Sequence, residues 1–186
     1  MAFPQRARLP SVLVRLALAT VGLLALGACG QEPRATEWWF GNALVMRVVD
    51  LRRVDEVRYA VGDKHYLIRP SQPDRRLAAA QMEVRNREAN VILFNITPES
   101  ITLRDTESGE YPAIDPFTQR SEVPEGGPAE NTFLPFVWGQ VELPQTCGQP
   151  PMSCQVAGWV LFEVPPAMKV YQLVWEAADT VYLRFR

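Results

Sequence analysis

The sequence has 186 residues, of which 19 are basic, 21 are acidic and one is histidine, so its net charge at pH 7 is −2. This acidic balance argues against a nucleic-acid partner, because nucleic acid attracts basic surfaces. The 16 prolines and 11 glycines are scattered along the chain, which predicts many turns and few long helices.

Residues 1–28 have the pattern of a secretory signal peptide. The leader is positive, because it contains three arginines and no acidic residue. An uncharged stretch follows over residues 16–30. The apolar part of that stretch is too short to cross a bilayer, which needs about 20 residues. Removal of residues 1–28 would leave 158 residues, about one domain, with a net charge of −5.

The stretch Leu26-Gly27-Ala28-Cys29 resembles the bacterial lipobox, in which an aliphatic residue and two small residues precede an obligate cysteine. The resemblance implies cleavage before Cys29 and attachment of lipid, with acyl chains such as palmitate, to its thiol. Two or more acyl chains hold a protein on a bilayer. We therefore expect a lipoprotein on the extracytoplasmic face of a cell membrane, with residues 29–37 as a tether. An ordinary signal peptide with an incidental cysteine is the alternative.

Cys147 and Cys154 are the two cysteines that remain if Cys29 carries lipid. Disulfides persist in exported proteins, and the segment between the two thiols is rich in proline and glycine. We expect a disulfide bond that contributes roughly 2.5 kcal/mol through loop closure. A metal site is the rival interpretation, but it would need further thiols or imidazoles nearby.

Residues 38–186 are predicted to form one all-β domain, because most apolar runs alternate with period two. Leu77–Asn86, for example, places apolar side chains on one face and polar ones on the other. About ten short strands predict an antiparallel sandwich or barrel. They lie at 43–51, 54–61, 65–69, 77–86, 91–96, 100–105, 133–141, 156–164, 169–175 and 181–185. We expect Pro112–Asn131 to be a long surface loop.

Three segments within residues 77–186 resemble a family of bacterial secreted lipoproteins with a telokin-like, immunoglobulin-like domain of unknown function. They are Met82–Asn86, then Ile101–Asp105 followed by Gly109 and Tyr111, and Gly158–Pro165 followed by Leu173-Val174-Trp175. The last is the most specific of the three. The resemblance implies an immunoglobulin-like β-sandwich after the signal peptide. It implies no catalytic or binding residues, because the family has none established.

An enzyme that uses a nucleophile and an imidazole base would need His65, the one histidine. No serine lies in a Gly-x-Ser-x-Gly elbow, and the acidic residues are too many for any one pair to stand out as glycosidase carboxylates. We therefore expect a protein that is not an enzyme and has no cofactor.

Asp105, Glu107 and Glu110 are weak candidates for a calcium site, since carboxylates cluster there around a glycine. Their spacing is not that of an EF-hand. A hairpin turn with solvent-exposed carboxylates, in which Gly109 takes a positive φ, explains them as well.

Trp159 and Leu161 alternate with Val160, Phe162 and Val164, so they are expected on the face opposite the core. Either the N-terminal segment covers them or they form a partner surface. The sequence thus predicts a membrane-anchored, non-catalytic binding or envelope-interaction module whose partner is an envelope protein or small ligand. The alternative is a metal-dependent ligand binder or a hydrolase.

Overall fold

The computed structural model describes residues 35–146 and 154–185. These residues form thirteen β-strands and two single 3-10 turns, Pro98–Ser100 and Ala129–Asn131. The strands are β1 (Ala35–Phe40), β2 (Leu44–Val54), β3 (Val57–Val61), β4 (Lys64–Ile68), β5 (Arg76–Asn86), β6 (Val91–Ile96), β7 (Ile101–Asp105), β8 (Glu110–Ile114), β9 (Ser121–Val123), β10 (Gly139–Pro144), β11 (Gln155–Val164), β12 (Val170–Trp175) and β13 (Val181–Arg184).

Every pairing between these strands is antiparallel. Eight strands form one sheet in the order β1-β2-β5-β11-β8-β7-β12-β13, three form a sheet in the order β3-β4-β9, and β10 pairs with β6. The long neighbouring strands β5 and β11 pair from Arg85 opposite Gln155 to Arg76 opposite Val164. The prediction of an antiparallel all-β sandwich is confirmed.

The two halves of the eight-stranded sheet enclose one hydrophobic core, the inner core. Strands β2, β5 and β11 contribute to it from one half, β7, β12 and β13 contribute from the other half, and β8 lies between the halves. The sheet formed by β6 and β10 also packs on it. Its side chains are all apolar, and Phe162 and Trp175 are fully buried at its centre.

Period-two alternation decides which side chains enter the inner core. In β11, Val160, Phe162 and Val164 face it, and in β6 buried residues alternate strictly with exposed ones. In β5, the residues that face it are Ala78, Ala80, Met82 and Val84. Small alanines in β5 lie opposite larger side chains of β11, since Ala78 pairs with Phe162 and Ala80 with Val160.

A second, smaller core lies on the opposite face of β5 and β11, and we call it the outer core. It consists of Val57, Tyr59, Ile68, Leu77, Ala79, Ile114, Phe133 and Leu161. Strands β3 and β4 cover it, and Trp159 stacks on Phe133 with ring centroids 4.1 Å apart. The central strands are therefore buried on both faces over part of their length.

Asp179 fixes the start of β2 from the other end of the chain. Its carboxylate accepts hydrogen bonds from the N–H groups of Ala43, at 2.8 Å, and Leu44, at 3.1 Å. A Cβ atom on Gly41 would lie 2.2 Å from the same carboxylate, so only glycine fits there. This contact links the turn before β2 to the turn before β13 and brings the two edges of the long sheet together.

Several predicted boundaries were wrong. Strand β1 begins at Ala35, inside the predicted tether of residues 29–37. The predicted loop Pro112–Asn131 contains the end of β8 and all of β9, which pairs with β4. The predicted strand at 133–141 begins only at Gly139, because residues 132–135 leave the sheets and contact β3 and β11 through isolated bridges.

None of the helical turns in residues 35–146 and 154–185 has the length and apolar character needed to cross a membrane.

Candidate functional site

A concave cleft of about 460 Å³ lies where the turn after β7 meets β12, and we call it the β7–β12 cleft. This volume is in the range of small-molecule sites. Its lining residues carry polar or charged groups, and they are Arg104, Asp105, Thr106, Ser108, Glu110, Tyr171 and Gln172.

The turn on one side of the cleft is held by Asp105. One carboxylate oxygen accepts the N–H groups of Glu107, at 2.8 Å, and Gly109, at 2.6 Å, and the other accepts the Tyr111 hydroxyl at 2.9 Å. These bonds, the one from Gly109 foremost, hold the pKa of Asp105 below its ordinary value of 3.8. The turn is thus a rigid wall for the cleft.

The backbone of the turn differs from the expectation at Gly109. The positive φ belongs to Ser108, at 68°, and not to Gly109. Glycine is required at position 109 for space, since a Cβ atom there would lie 2.5 Å from the Asp105 carboxylate. The strained conformation falls on a residue that lines the cleft.

A β-bulge in β12 shapes the opposite side of the cleft. The register with β7 shifts between Val170 and Gln172, so Val170 enters the inner core while Tyr171 turns outward and is 42% exposed. Gln172 then lies beside Arg104 on the outer side of the sheet and is only 7% exposed. The bulge therefore sets a tyrosine ring next to a buried amide.

Arg104 and Gln172 carry hydrogen-bonding groups that the described residues do not satisfy. Arg104 Nη2 is 2.7 Å from Glu110 Oε1, but its Nε atom is buried without a hydrogen-bond partner. The Gln172 amide also makes no side-chain hydrogen bond within the described residues, but its atoms, unlike Arg104 Nε, are not fully buried. A buried polar group without a partner costs about 1–3 kcal/mol. A polar ligand in the cleft can hydrogen bond to the Gln172 amide, which lines it.

The calcium prediction for Asp105, Glu107 and Glu110 is not supported by their contacts. The Asp105 oxygens are used by the turn, and Glu110 pairs with Arg104. Among the described residues, no group of three histidine, cysteine or acidic side chains could hold a metal ion. The hairpin-turn explanation fits the arrangement.

Trp159 and Leu161 do not form the partner surface that was one of the two expectations. Leu161 is buried in the outer core, and Trp159 is half-buried against Phe133. Of the described N-terminal residues, none belongs to the cover, because β1 pairs with β2 and contributes no side chain to the outer core. Strands β3 and β4, with the segment around Phe133, supply it.

His65 lies in β4, between Ala60 of β3 and Val123 of β9, and is half-buried. Within the described residues it is not brought together with a nucleophile or a carboxylate. The lipid-attachment residue Cys29 and the disulfide residue Cys147 lie outside the described residues, so the lipid anchor and the bond to Cys154 stay predictions.

Sequence reasoning missed Arg104 and Gln172 as site residues. Gln172 is the polar member of the run Val170-Tyr171-Gln172-Leu173-Val174, and a lone amide in a strand that is otherwise buried was the available signal. Arg104 carried no such signal, because an arginine in an alternating strand is ordinary on a solvent-exposed face.

Comparison with known proteins gives no family for this chain. No family model matches it, and neither does any curated protein. Among solved structures, it is similar to an uncharacterised β-sandwich protein from Clostridium difficile 630, with 10% sequence identity, coverage of 79% of this chain and 90% of that chain, and a TM-score of 0.39. A likeness this distant carries no information on ligand or activity.

Proposed function

We propose that the chain is a lipid-anchored extracytoplasmic protein whose β domain is a non-catalytic binding module. The observation that carries the anchor is the lipobox-like stretch Leu26–Cys29, which lies in the uncharged stretch that follows the positive leader. The first strand begins at Ala35, so only a short segment separates Cys29 from the domain. Such a segment would hold the domain close to the membrane surface.

The binding role is supported by the β7–β12 cleft, which the Gln172 amide lines and where the buried Arg104 Nε has no hydrogen-bond partner among the described residues. An immunoglobulin-like, telokin-like domain is our proposal for the fold family. The all-β order and the motifs around Phe162 and Trp175 agree with it, since both side chains are central to the inner core.

The hydrolase and the metal-dependent binder are less well supported. Against the hydrolase, the described residues place no nucleophile beside His65. Against the metal-dependent binder, the carboxylates that line the cleft already bond to the turn or to Arg104.

Metabolic labelling with a fatty-acid analogue tests the anchor in cells that export the protein. The wild type should carry the label, and Cys29→Ala should lose it to background, because the thiol is the attachment point. Cys147→Ala is the matched control and should keep the label. Label that persists on Cys29→Ala would refute the lipid anchor.

A further inference from the structure

The chemistry of the β7–β12 cleft indicates what kind of ligand it accepts. Gln172 offers both a donor and an acceptor, and Ser108 and Thr106 line the cleft with hydroxyls. A ligand that satisfies these groups must donate and accept hydrogen bonds from the same small region. Hydroxyl groups do this, whereas an ionised carboxylate only accepts.

The charge of the cleft argues against an anionic ligand. The single guanidinium of Arg104 already pairs with Glu110, and the Asp105 carboxylate, which is held ionised by the turn, lines the same cleft. One positive and two negative groups leave the lining with a net negative charge. An anion would meet repulsion there, and a neutral ligand would not.

Tyr171 provides an apolar surface beside these polar groups. Its side chain is 42% exposed because the bulge in β12 turns it out of the sheet, and it stands next to Gln172 on the same strand. An aromatic ring beside amide, guanidinium and hydroxyl groups suits a ring with one apolar face and several hydroxyls. We propose that the β7–β12 cleft binds a neutral sugar ring.

This inference deepens the binding role in the proposed function, and it rests on that role but not on the lipid anchor. For an extracytoplasmic protein, the sugar would belong to a glycan outside the cytoplasm. The anchor and the cleft are separate parts of the chain. The lipid-labelling experiment can therefore fail while sugar binding is observed, and sugar binding can fail while the lipid is found.

Saturation-transfer NMR tests the inference with purified full-length protein in a zwitterionic detergent that has no sugar headgroup. The probes are D-glucose, D-galactose, D-mannose and N-acetyl-D-glucosamine, with acetate and inorganic phosphate as anionic comparisons. At least one sugar should receive saturation and titrate with a Kd of about 1 mM, as a few hydrogen bonds and one ring contact permit. The mass of the same sample reports the lipid on Cys29 independently.

Two variants locate the site. Gln172→Leu keeps the side-chain volume and removes the amide, and it should weaken sugar binding about fivefold or more. Gln119→Leu makes the same change on an exposed residue outside the cleft and should bind as the wild type. Tyr171→Ala removes an exposed ring, so it should fold normally even if Gln172→Leu does not, and it should also weaken binding.

Three outcomes would overturn the proposal. The first is that no sugar receives saturation from the wild-type protein. The second is that phosphate or acetate binds while the sugars do not, which would make the cleft an anion site. The third is that a sugar binds equally well to the wild type, Gln172→Leu and Tyr171→Ala, which would place its site elsewhere on the molecule.

Discussion

The inner and outer cores lie on opposite faces of β5 and β11, and they are built differently. The inner core is enclosed by strands of one continuous sheet together with β6 and β10, and its side chains are all apolar. The outer core is covered by a separate three-stranded sheet and by the segment around Phe133. It includes Tyr59, whose buried hydroxyl donates to the Pro116 carbonyl.

This difference indicates how each core is stabilised. The inner core depends on dense packing of large apolar side chains, so loss of volume is its main vulnerability. The outer core depends also on polar links that hold its cover in place. Arg120 donates to the Tyr59 hydroxyl at 3.2 Å and stacks over the Tyr66 ring at 3.8 Å, and Phe133 donates its N–H to the Arg58 carbonyl at 2.8 Å. We expect the outer core to open at lower free energy.

The largest effect is expected from Phe162→Ala in the inner core. The ring is fully buried, so its removal leaves a cavity and should lower the free energy of unfolding by about 3–5 kcal/mol. Urea unfolding followed by fluorescence measures this. If Phe162→Ala proved stable while Leu161→Ala was severely unfolded, the two faces of β11 would have been assigned the wrong way round.

Leu161→Ala tests the outer core on the neighbouring residue of the same strand. Leu161 is 3% exposed, and we expect a loss of about 2–3 kcal/mol, near the low end for leucine because the small cover can relax into the space. Hydrogen exchange should show faster exchange in β3 and β4, with β7 and β12 unchanged. Uniformly faster exchange in all four strands would mean that the two cores unfold together.

Tyr59→Phe should have the smallest effect and the most distinctive pH dependence. Loss of the hydroxyl leaves the buried Pro116 carbonyl without its donor, which should cost about 1–2 kcal/mol at neutral pH. Burial raises the pKa of Tyr59 above its ordinary value of 10.0, so the folded state holds the phenolic proton more tightly than the unfolded state.

The stabilising contribution of Tyr59 is therefore complete below pH 10.0 and is lost as the pH rises through its higher folded-state pKa. The stability difference between wild type and Tyr59→Phe should shrink in that window, as measured by urea unfolding at several pH values. Phe162→Ala is the control, since the loss of an apolar ring should not depend on pH. A constant difference between wild type and Tyr59→Phe would argue against burial of this phenol.

Strand positions followed from the sequence where apolar runs were clear, although Val91–Ile96 was interpreted as a buried run and in fact alternates between exposed and buried residues. Val91–Ile96 was predicted with its observed bounds, and Leu77–Asn86 and Val156–Val164 each began one residue late. Strand β9 was missed because three residues in a proline-rich stretch have no period to detect. Its strand conformation depends on pairing with His65, Tyr66 and Leu67 of β4, which is a contact distant in sequence.

The candidate site was less predictable than the strands. The carboxylates around Gly109 drew attention to the turn beside the cleft and left a hairpin turn and a weak calcium site as the alternatives, because the sequence does not show that Asp105 bonds to its own turn. The β12 bulge, which exposes Tyr171 and buries Gln172, arises from a register shift against β7. A register between two strands is set by tertiary packing and leaves little trace in either strand alone.

The sequence by itself determined the all-β fold and which side chains of β11 share a face, because successive side chains of a strand point to opposite sides whatever surrounds them. Only the tertiary structure decided what lies against each face. Leu161 could have been covered by the N-terminal segment, by a partner or by β3 and β4, and all three are compatible with one alternating pattern. The choice depends on contacts between residues far apart in the chain, such as Phe133 on Trp159, and local periodicity carries no information about them.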